Sequence, residues 1–344
     1  MYFSAPPRLC VKSLDYHGCK MSSSLRWVFR TVVPAVLTAA VLLAQKAPPR
    51  KFELKAHSPR FWELFDAAAK LETVAGGFAF TEGPVWDDRG GFLYVSDEEQ
   101  NKIYRVFPDG RKETLVSMGD PDGSTFDKDH RLITTASILR AVVEVLPDGK
   151  LRTLADKYEG KKFNSPNDIV LGPDGGLYFT DPTLNLVKGE KQEIPFQGVY
   201  RLANDGTVRL LLKDFKQPNG LAFSPDESIL YIADSGFSHD PDAPHHIRAF
   251  NVAENGSLTK GVLFSDVSPG VPDGIRTDIE GNVWTSCKDG VICIDPSGAS
   301  IGKIRVPQVV SNITFGGPRR NRLFITATKS LYAVYVATTG AQIP

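Results

Sequence analysis

Gln217-Pro218-Asn219-Gly220-Leu221-Ala222-Phe223-Ser224 sets an amide oxygen, flanked by proline and glycine, at the start of an apolar, β-prone run. Three other stretches have the same grammar: Thr81-Glu82-Gly83-Pro84-Val85-Trp86, Ser165-Pro166-Asn167-Asp168-Ile169-Val170 and Val271-Pro272-Asp273-Gly274-Ile275-Arg276. Each reads as the beginning of a short strand with an oxygen-bearing side chain at its mouth.

Working outward from these starts, the chain repeats one pattern. An apolar strand is followed by a Leu-Tyr-x-x-Asp strand, a Val-Tyr-Arg-Val-like strand, a Pro-Asp-Gly hairpin and a last strand. Clear copies are Phe92–Asp97 with Ile103–Gly110, Leu177–Asp181 with Val199–Gly206, and Leu230–Asp234 with Ile247–Asn251. Weaker ones are Leu132–Thr135 with Val142–Gly149, Val283–Cys287 with Val291–Gly298, and Leu323–Thr326 with Leu331–Val334. First strands beginning near Glu82, Asp122, Asn167, Asn219, Asp273 and Asn312 recur every ~40 to 55 residues, and four strands per unit at such a period mark a β-propeller. The expectation is an all-β, six-bladed ring spanning residues 71–337. Its last blade is completed by Leu71–Ala75, which leaves no long exposed edge.

Outside the ring, residues 338–344 form a tail and 48–70 a lead-in, in which Pro59–Lys70 suits one short amphipathic helix. From Met21, Arg26 and Arg30 precede an apolar run over Thr31–Ala44, so 21–47 reads as an export signal, with a membrane anchor over 26–45 as the alternative. Residues 1–20 read as an extension ahead of the true start, or as a disordered tail. The mature domain is then expected to be periplasmic or secreted, with no membrane contact of its own.

The 344 residues, 42% hydrophobic, suffice for a large core, and 40 basic residues balance 40 acidic ones. That balance offers nothing to a polyanion, so nucleic acid is excluded as an expected partner. Oligomeric state is left open. Cys287 and Cys293 are expected as free buried thiols on a hairpin around Lys288-Asp289-Gly290, with Cys287 facing Val291 and Cys293 facing Thr285, a pairing that a bridge would strain.

The first strands of a propeller line its central channel, so Glu82, Asn219 and Asp273 are expected around one mouth. Two carboxylates and an amide oxygen suit a hard divalent cation such as Ca²⁺ or Mg²⁺, and then Mn²⁺, better than copper. The plainer reading is that Pro-Asn-Gly and Pro-Asp-Gly are ordinary turns. Asp109-Gly110 and Asp148-Gly149 are hairpin tips of that kind, but they precede polar strands, whereas Asn219 and Asp273 precede apolar ones. The long loops Pro182–Gln197 and Ser235–His245 emerge on the mouth side, where lids and specificity elements sit.

The ordered set FTEGPVW, NSPNDIVLGPDGGLYFTDP, QPNGLAFSPDESILYIADS, PDGIRTDIEGNVW and NITFGGP, running over nearly all of residues 55–337, resembles the gluconolactonase branch of the SMP-30/gluconolactonase/LRE family. The resemblance implies a six-bladed propeller with one divalent metal in the channel, usually calcium, with Mg²⁺, Mn²⁺ or Zn²⁺ as alternatives. Position by position it implies Glu82, Asn219 and Asp273 as ligands and Asn167 as a substrate-side residue close enough to join the metal shell. Asp120-Pro121-Asp122-Gly123 departs from the branch's usual Asn-Gly-Leu and brings a further carboxylate, Asp122, toward the substrate.

The expected activity is opening of a small sugar lactone by metal-activated water, with Asp273 as general base, Glu82 chiefly a ligand, Asn167 orienting substrate and Asp168 bracing its loop. The rivals are a non-catalytic binding propeller with a structural metal, and a lactonase or phosphotriesterase with another substrate. Gly298-Ala299-Ser300-Ile301-Gly302 matches Gly-x-Ser-x-Gly, but it runs from a hairpin tip into a last strand and is not a strand-to-helix elbow, so a serine hydrolase is not expected. His239, His245 and His246 offer another base on the mouth side, or are simply exposed loop residues. His130 is placed in a hairpin on the opposite side and His57 outside the ring. Trp86 and Trp284 read as core aromatics and Lys161-Lys162 as solvated surface.

Overall fold

Both faces of the apolar first strands are buried, and the architecture explains why. The computed structural model describes residues 50–341, and in it the strands form six four-stranded antiparallel blades around a channel. The innermost strands are Thr81–Asp87, Pro121–Phe126, Ile169–Leu171, Pro218–Phe223, Ile275–Thr277 and Val310–Gly316. Buried apolar side chains gather into six clusters, one at each junction between neighbouring blades. Because successive residues on a strand point to opposite faces, Leu221 packs toward blade three and Ala222 toward blade five. Val85 and Trp86 divide in the same way between blades two and six. Burying each large side chain stabilises the ring by roughly 1.5–3 kcal/mol.

The Leu-Tyr-x-x-Asp repeat also has a physical reason. Asp97 ends the second strand of blade one and accepts the amides of Ala79, Phe80 and Gln100. Asp234 does the same in blade four for Lys216, Gln217 and Gly236. These carboxylates fix the chain as it enters the inner strand, and so fix the mouth.

Closure follows the expectation, displaced by one residue: Glu72–Gly76 pairs with Ser330–Tyr335 as the outer strand of blade six. Blade five gains an unforeseen fifth strand, Glu53–Ala56, on Ser300–Arg305. The expected helix over Pro59–Lys70 shrinks to Phe61–Leu64. Its continuation is pre-empted because Leu64 O accepts the amide of Ala337 and Ala68 N turns onto Asp66 Oδ1.

The Cys287 hairpin is one residue tighter than expected. Cys287 pairs with Gly290, Ser286 with Val291 and Trp284 with Cys293. Gly290 belongs to the strand because a Cβ there would lie 1.9 Å from Ile304 O, while Asp289 is held in the turn by Lys303 at 2.9 Å. Both thiols are free and buried, at different blade junctions. The expected export segment lies outside the described residues. Among the described residues no helix is long and apolar enough to cross a membrane.

Candidate active site at the channel mouth

The six inner strands begin at one end of the channel, and each carries a polar residue within two positions of its first residue: Glu82, Asp122, the Asn167-Asp168 pair, Asn219, Asp273 and Asn312. The recurrent glycine after these residues is a packing requirement. A Cβ on Gly220 would lie 2.1 Å from Asp273 O, and one on Gly83, whose φ is +45°, would lie 1.8 Å from Asp122 O. Neighbouring inner strands therefore meet backbone to backbone. Gly123 N donates to Asn167 O at 2.8 Å, Gly220 N to Asp273 O at 3.1 Å and Gly274 N to Ser311 O at 2.9 Å.

The side chains are tied into the same ring. Glu82 Oε2 accepts Gly83 N and Asn312 Nδ2, both at 2.9 Å. Asn167 Nδ2 donates to Asp122 Oδ2 at 2.5 Å, while Asn167 Oδ1 is buried without a hydrogen-bond partner among the described residues. The Asn219 side chain lowers the proton affinity of Asp273. Asp168 points inward: its Oδ1 accepts Ile169 N at 2.8 Å, and its Oδ2 lies 3.9 Å from Arg276 Nη1. Glu82, Asp122, Asn167 and Asn219 are buried, whereas Asp273 retains an open side.

Two loops complete the mouth. Glu98 follows the second strand of blade one, and Asn185 lies in the long loop of blade three. Asn185 Nδ2 reaches Asp122 Oδ2 at 3.4 Å and Glu98 Oε1 at 3.5 Å. Neither residue carries a motif. The only signal for Glu98 is its position just after a strand ending at the mouth, and for Asn185 the length of its loop. Asn312 was legible as a strand start but not as the partner of Glu82.

So many acids in a dry ring are held away from their ordinary ionisation. Burial pushes Glu82 up to about 7; the Gly83 amide and Asn312 pull it back, and the Asp168 charge pushes it further. Burial likewise raises Asp122, Glu98 and Asp273 well above the carboxylate range, and neighbouring acids add to it. Burial lifts Asp120 to about 6. Among the described residues Arg276 is the cation that faces this cluster, pulling Asp168 and Glu82 downward.

A model of the SMP-30/gluconolactonase/LRE-like region matches residues 80–329. The chain belongs to that family. It is 32% identical to a gluconolactonase of Zymomonas mobilis over 311 residues, covering 82% of this chain and 86% of that protein. A solved structure described as a putative gluconolactonase superposes with a TM-score of 0.77 at 34% identity, covering 85% of this chain and all of the other. A gluconolactonase structure from Xanthomonas campestris gives 0.77 at 30% identity, covering 85% and 99%.

The histidines stand away from the family motifs. His245 Nδ1 is 2.8 Å from Val267 O, His246 opens a third strand with its basicity lowered by burial, and His239 is exposed. His57 is on the outer edge, against Ser300 Oγ at 2.8 Å. His130 sits in the far-side hairpin of blade two, stacked on Phe126, with Asp87 and Asp88 beside it. That trio is a potential ion cluster, but different ring nitrogens face the two acids, Nε2 toward Asp87 at 3.1 Å and Nδ1 toward Asp88 at 4.0 Å. Trp86 stacks on Phe324, Trp284 Nε1 donates to Asp278 Oδ2, and Lys161 and Lys162 are exposed.

Proposed function

We propose that the chain is a hydrolase that opens a sugar lactone at this mouth, with one divalent cation held by Glu82, Asn219 and Asp273 and approached by Asn167. The observation that carries the reading is the surplus of buried carboxylates with Arg276 as their facing cation, beside the free Oδ1 of Asn167, in a chain of the gluconolactonase family. An all-oxygen donor set with two carboxylates fits a hard ion, with calcium first and Mg²⁺, Mn²⁺ or Zn²⁺ as alternatives. Such an ion supplies Lewis acidity toward an ester carbonyl and lowers the pKa of a bound water.

The side chains divide the remaining work. Kept ionised against its burial by a cation at this position, the Asp273 carboxylate takes the proton from the attacking water on its open side. The water oxygen bonds to the acyl carbon, the ring C–O bond breaks, and the departing ring oxygen recovers a proton, giving a hydroxy acid. Glu82 is immobilised by Gly83 N and Asn312 and serves as a ligand. Asn167 has spent its Nδ2 on Asp122, so its Oδ1 is left to receive a substrate hydroxyl. Asp168 faces Arg276 and holds the floor of the site. Asn185 places the blade-three loop over the substrate.

A pH-indicator assay on D-glucono-1,5-lactone and a lactone panel tests this, with and without chelator and with Ca²⁺, Mg²⁺, Mn²⁺ or Zn²⁺ restored. Turnover is expected to vanish on chelation and return with one ion. Full turnover in a metal-free preparation removes the mechanism, and no turnover of any lactone favours the non-catalytic binding propeller. We also propose export through residues 21–47, checked by the N-terminus of the mature protein.

A further inference from the structure

The channel has a second end. On the side away from the mouth, five of the six inner strands line a cavity of about 240 Å³, with Val85, Thr125, Leu171, Arg276 and Phe315 among the lining residues, and blade four adds Ser224, just past the end of its inner strand. Gly340 and Ala341 also line it, fastened there by Ala341 N donating to Thr277 O and by the bridge between Gly340 and Asp278. The exposed Glu227, in the far-side hairpin of blade four, completes the lining.

Arg276 is the cation of this cavity, and its side chain is 11% exposed. Its Nη1 donates to Ile275 O at 2.7 Å and stands 3.9 Å from Asp168 Oδ2, beyond hydrogen-bonding distance. A guanidinium carries five N–H donors in a fixed fork, and among the described residues no other acceptor takes them. Three neighbouring hydroxyls are already committed: Thr125 gives its proton to Phe126 O, Thr277 to Phe223 O and Ser224 to Asp226.

We infer that the far end of the channel is a binding site for a small organic monocarboxylate, whose carboxylate meets Arg276 and whose apolar body lies against Val85, Leu171 and Phe315. A planar fork inside a low-dielectric cavity matches a carboxylate bidentately. Arg276 is already faced by Asp168 at 3.9 Å, and Asp168 and Glu227 oppose added negative charge, so phosphate and dicarboxylates are disfavoured relative to a monocarboxylate. The apolar walls add contact area that inorganic anions do not use.

The test is titration of the whole protein with benzoate, followed by ligand-observed NMR and calorimetry, with inorganic phosphate in parallel and no lactone present. Benzoate is expected to bind saturably, with and without Ca²⁺, and to weaken by about tenfold or more in Arg276→Gln, the size expected for loss of a charge-assisted contact. Glu227→Gln, an exposed change that spares the core, is expected to tighten it, and Leu171→Trp, which fills the cavity, to abolish it. Asn219→Ala, at the mouth, is expected to leave it unchanged. Absence of saturable binding overturns the inference, as does phosphate binding more tightly than benzoate, equal affinity in the Glu227 and Leu171 variants, or loss of binding in the Asn219 variant. No lactone enters the measurement and binding is read in metal-free protein as well as with Ca²⁺, so failure of the lactonase reading does not touch it.

Discussion

Asn312 Nδ2 lies 2.9 Å from Glu82 Oε2, so the last blade grips the first at the channel mouth through the acid assigned to the metal. The amide orients Glu82 and lowers its proton affinity against a burial that raises it. Asn312→Ala is expected to reduce kcat/KM and metal affinity by about 10–100-fold, the usual cost of removing a group that orients a ligand. The loss of the Ile313 N to Asn312 Oδ1 bond adds about 1–2 kcal/mol of destabilisation. Metal titration and a melting curve measured together check both, and unchanged metal affinity removes the orienting role.

Asp273 combines an open side with a carboxylate pushed up by burial and by the charges of Glu82 and Asp168. Asp273→Asn keeps an oxygen at the position and removes the proton acceptor. Turnover is expected to fall by at least ~10²-fold while the ring stays folded. Steady-state kinetics with excess Ca²⁺ and a circular dichroism melt check it, and wild-type-like kcat in the folded variant refutes the assignment.

Gly220 is required by its neighbour and not by its own turn. An alanine Cβ would lie 2.1 Å from Asp273 O and 2.9 Å from Gly274 Cα, both backbone atoms that cannot swing aside. Gly220→Ala is expected to destabilise by roughly 1–3 kcal/mol or more, as overpacking does, and to lower activity by displacing Asp273. Urea unfolding and kinetics of the variant test it; a stable, fully active Gly220→Ala protein contradicts the close approach.

What was legible in the chain was what repeats locally. Strand alternation, Pro-Asp-Gly tips and the Leu-Tyr-x-x-Asp strands each depend on neighbours a few residues away, so the ring and its polar strand starts could be read directly. Asn312 was not legible as a site residue because its partner is 230 residues distant and meets it only when the ring closes. In the sequence Arg276 is only the end of a strand run, since its position between the mouth acids and the far cavity emerges when Asp168 of another blade comes within 3.9 Å. The Cys287 hairpin was set one residue too wide because glycine was read as a turn residue, whereas Gly290 is a strand residue demanded by Ile304.

Asp181 holds the blade-three position that Asp97 and Asp234 hold in their blades, but with fewer donors. Its Oδ2 accepts Asn164 N at 2.9 Å; Ser165 N is given to Pro182 O, and Oδ1 has no partner among the described residues. Burial therefore prevails and lifts Asp181 to about 8 from an ordinary 3.8. The sign of the linkage follows: a carboxyl raised in the folded state favours folding fully only below its ordinary pKa, and that contribution is lost as pH rises toward 8. Its slope approaches ~1.4 kcal/mol per pH unit within the window. Asp181→Asn is expected to flatten the stability profile between about pH 4 and 8 relative to wild type, with Ca²⁺ present in both so that the mouth is treated alike. Asp97→Asn, which removes the charged acceptor of three amides, is expected to destabilise by about 1.5–3 kcal/mol at neutral pH. Urea titrations across that range decide it: parallel profiles for wild type and Asp181→Asn mean that Asp181 ionises normally in the folded ring.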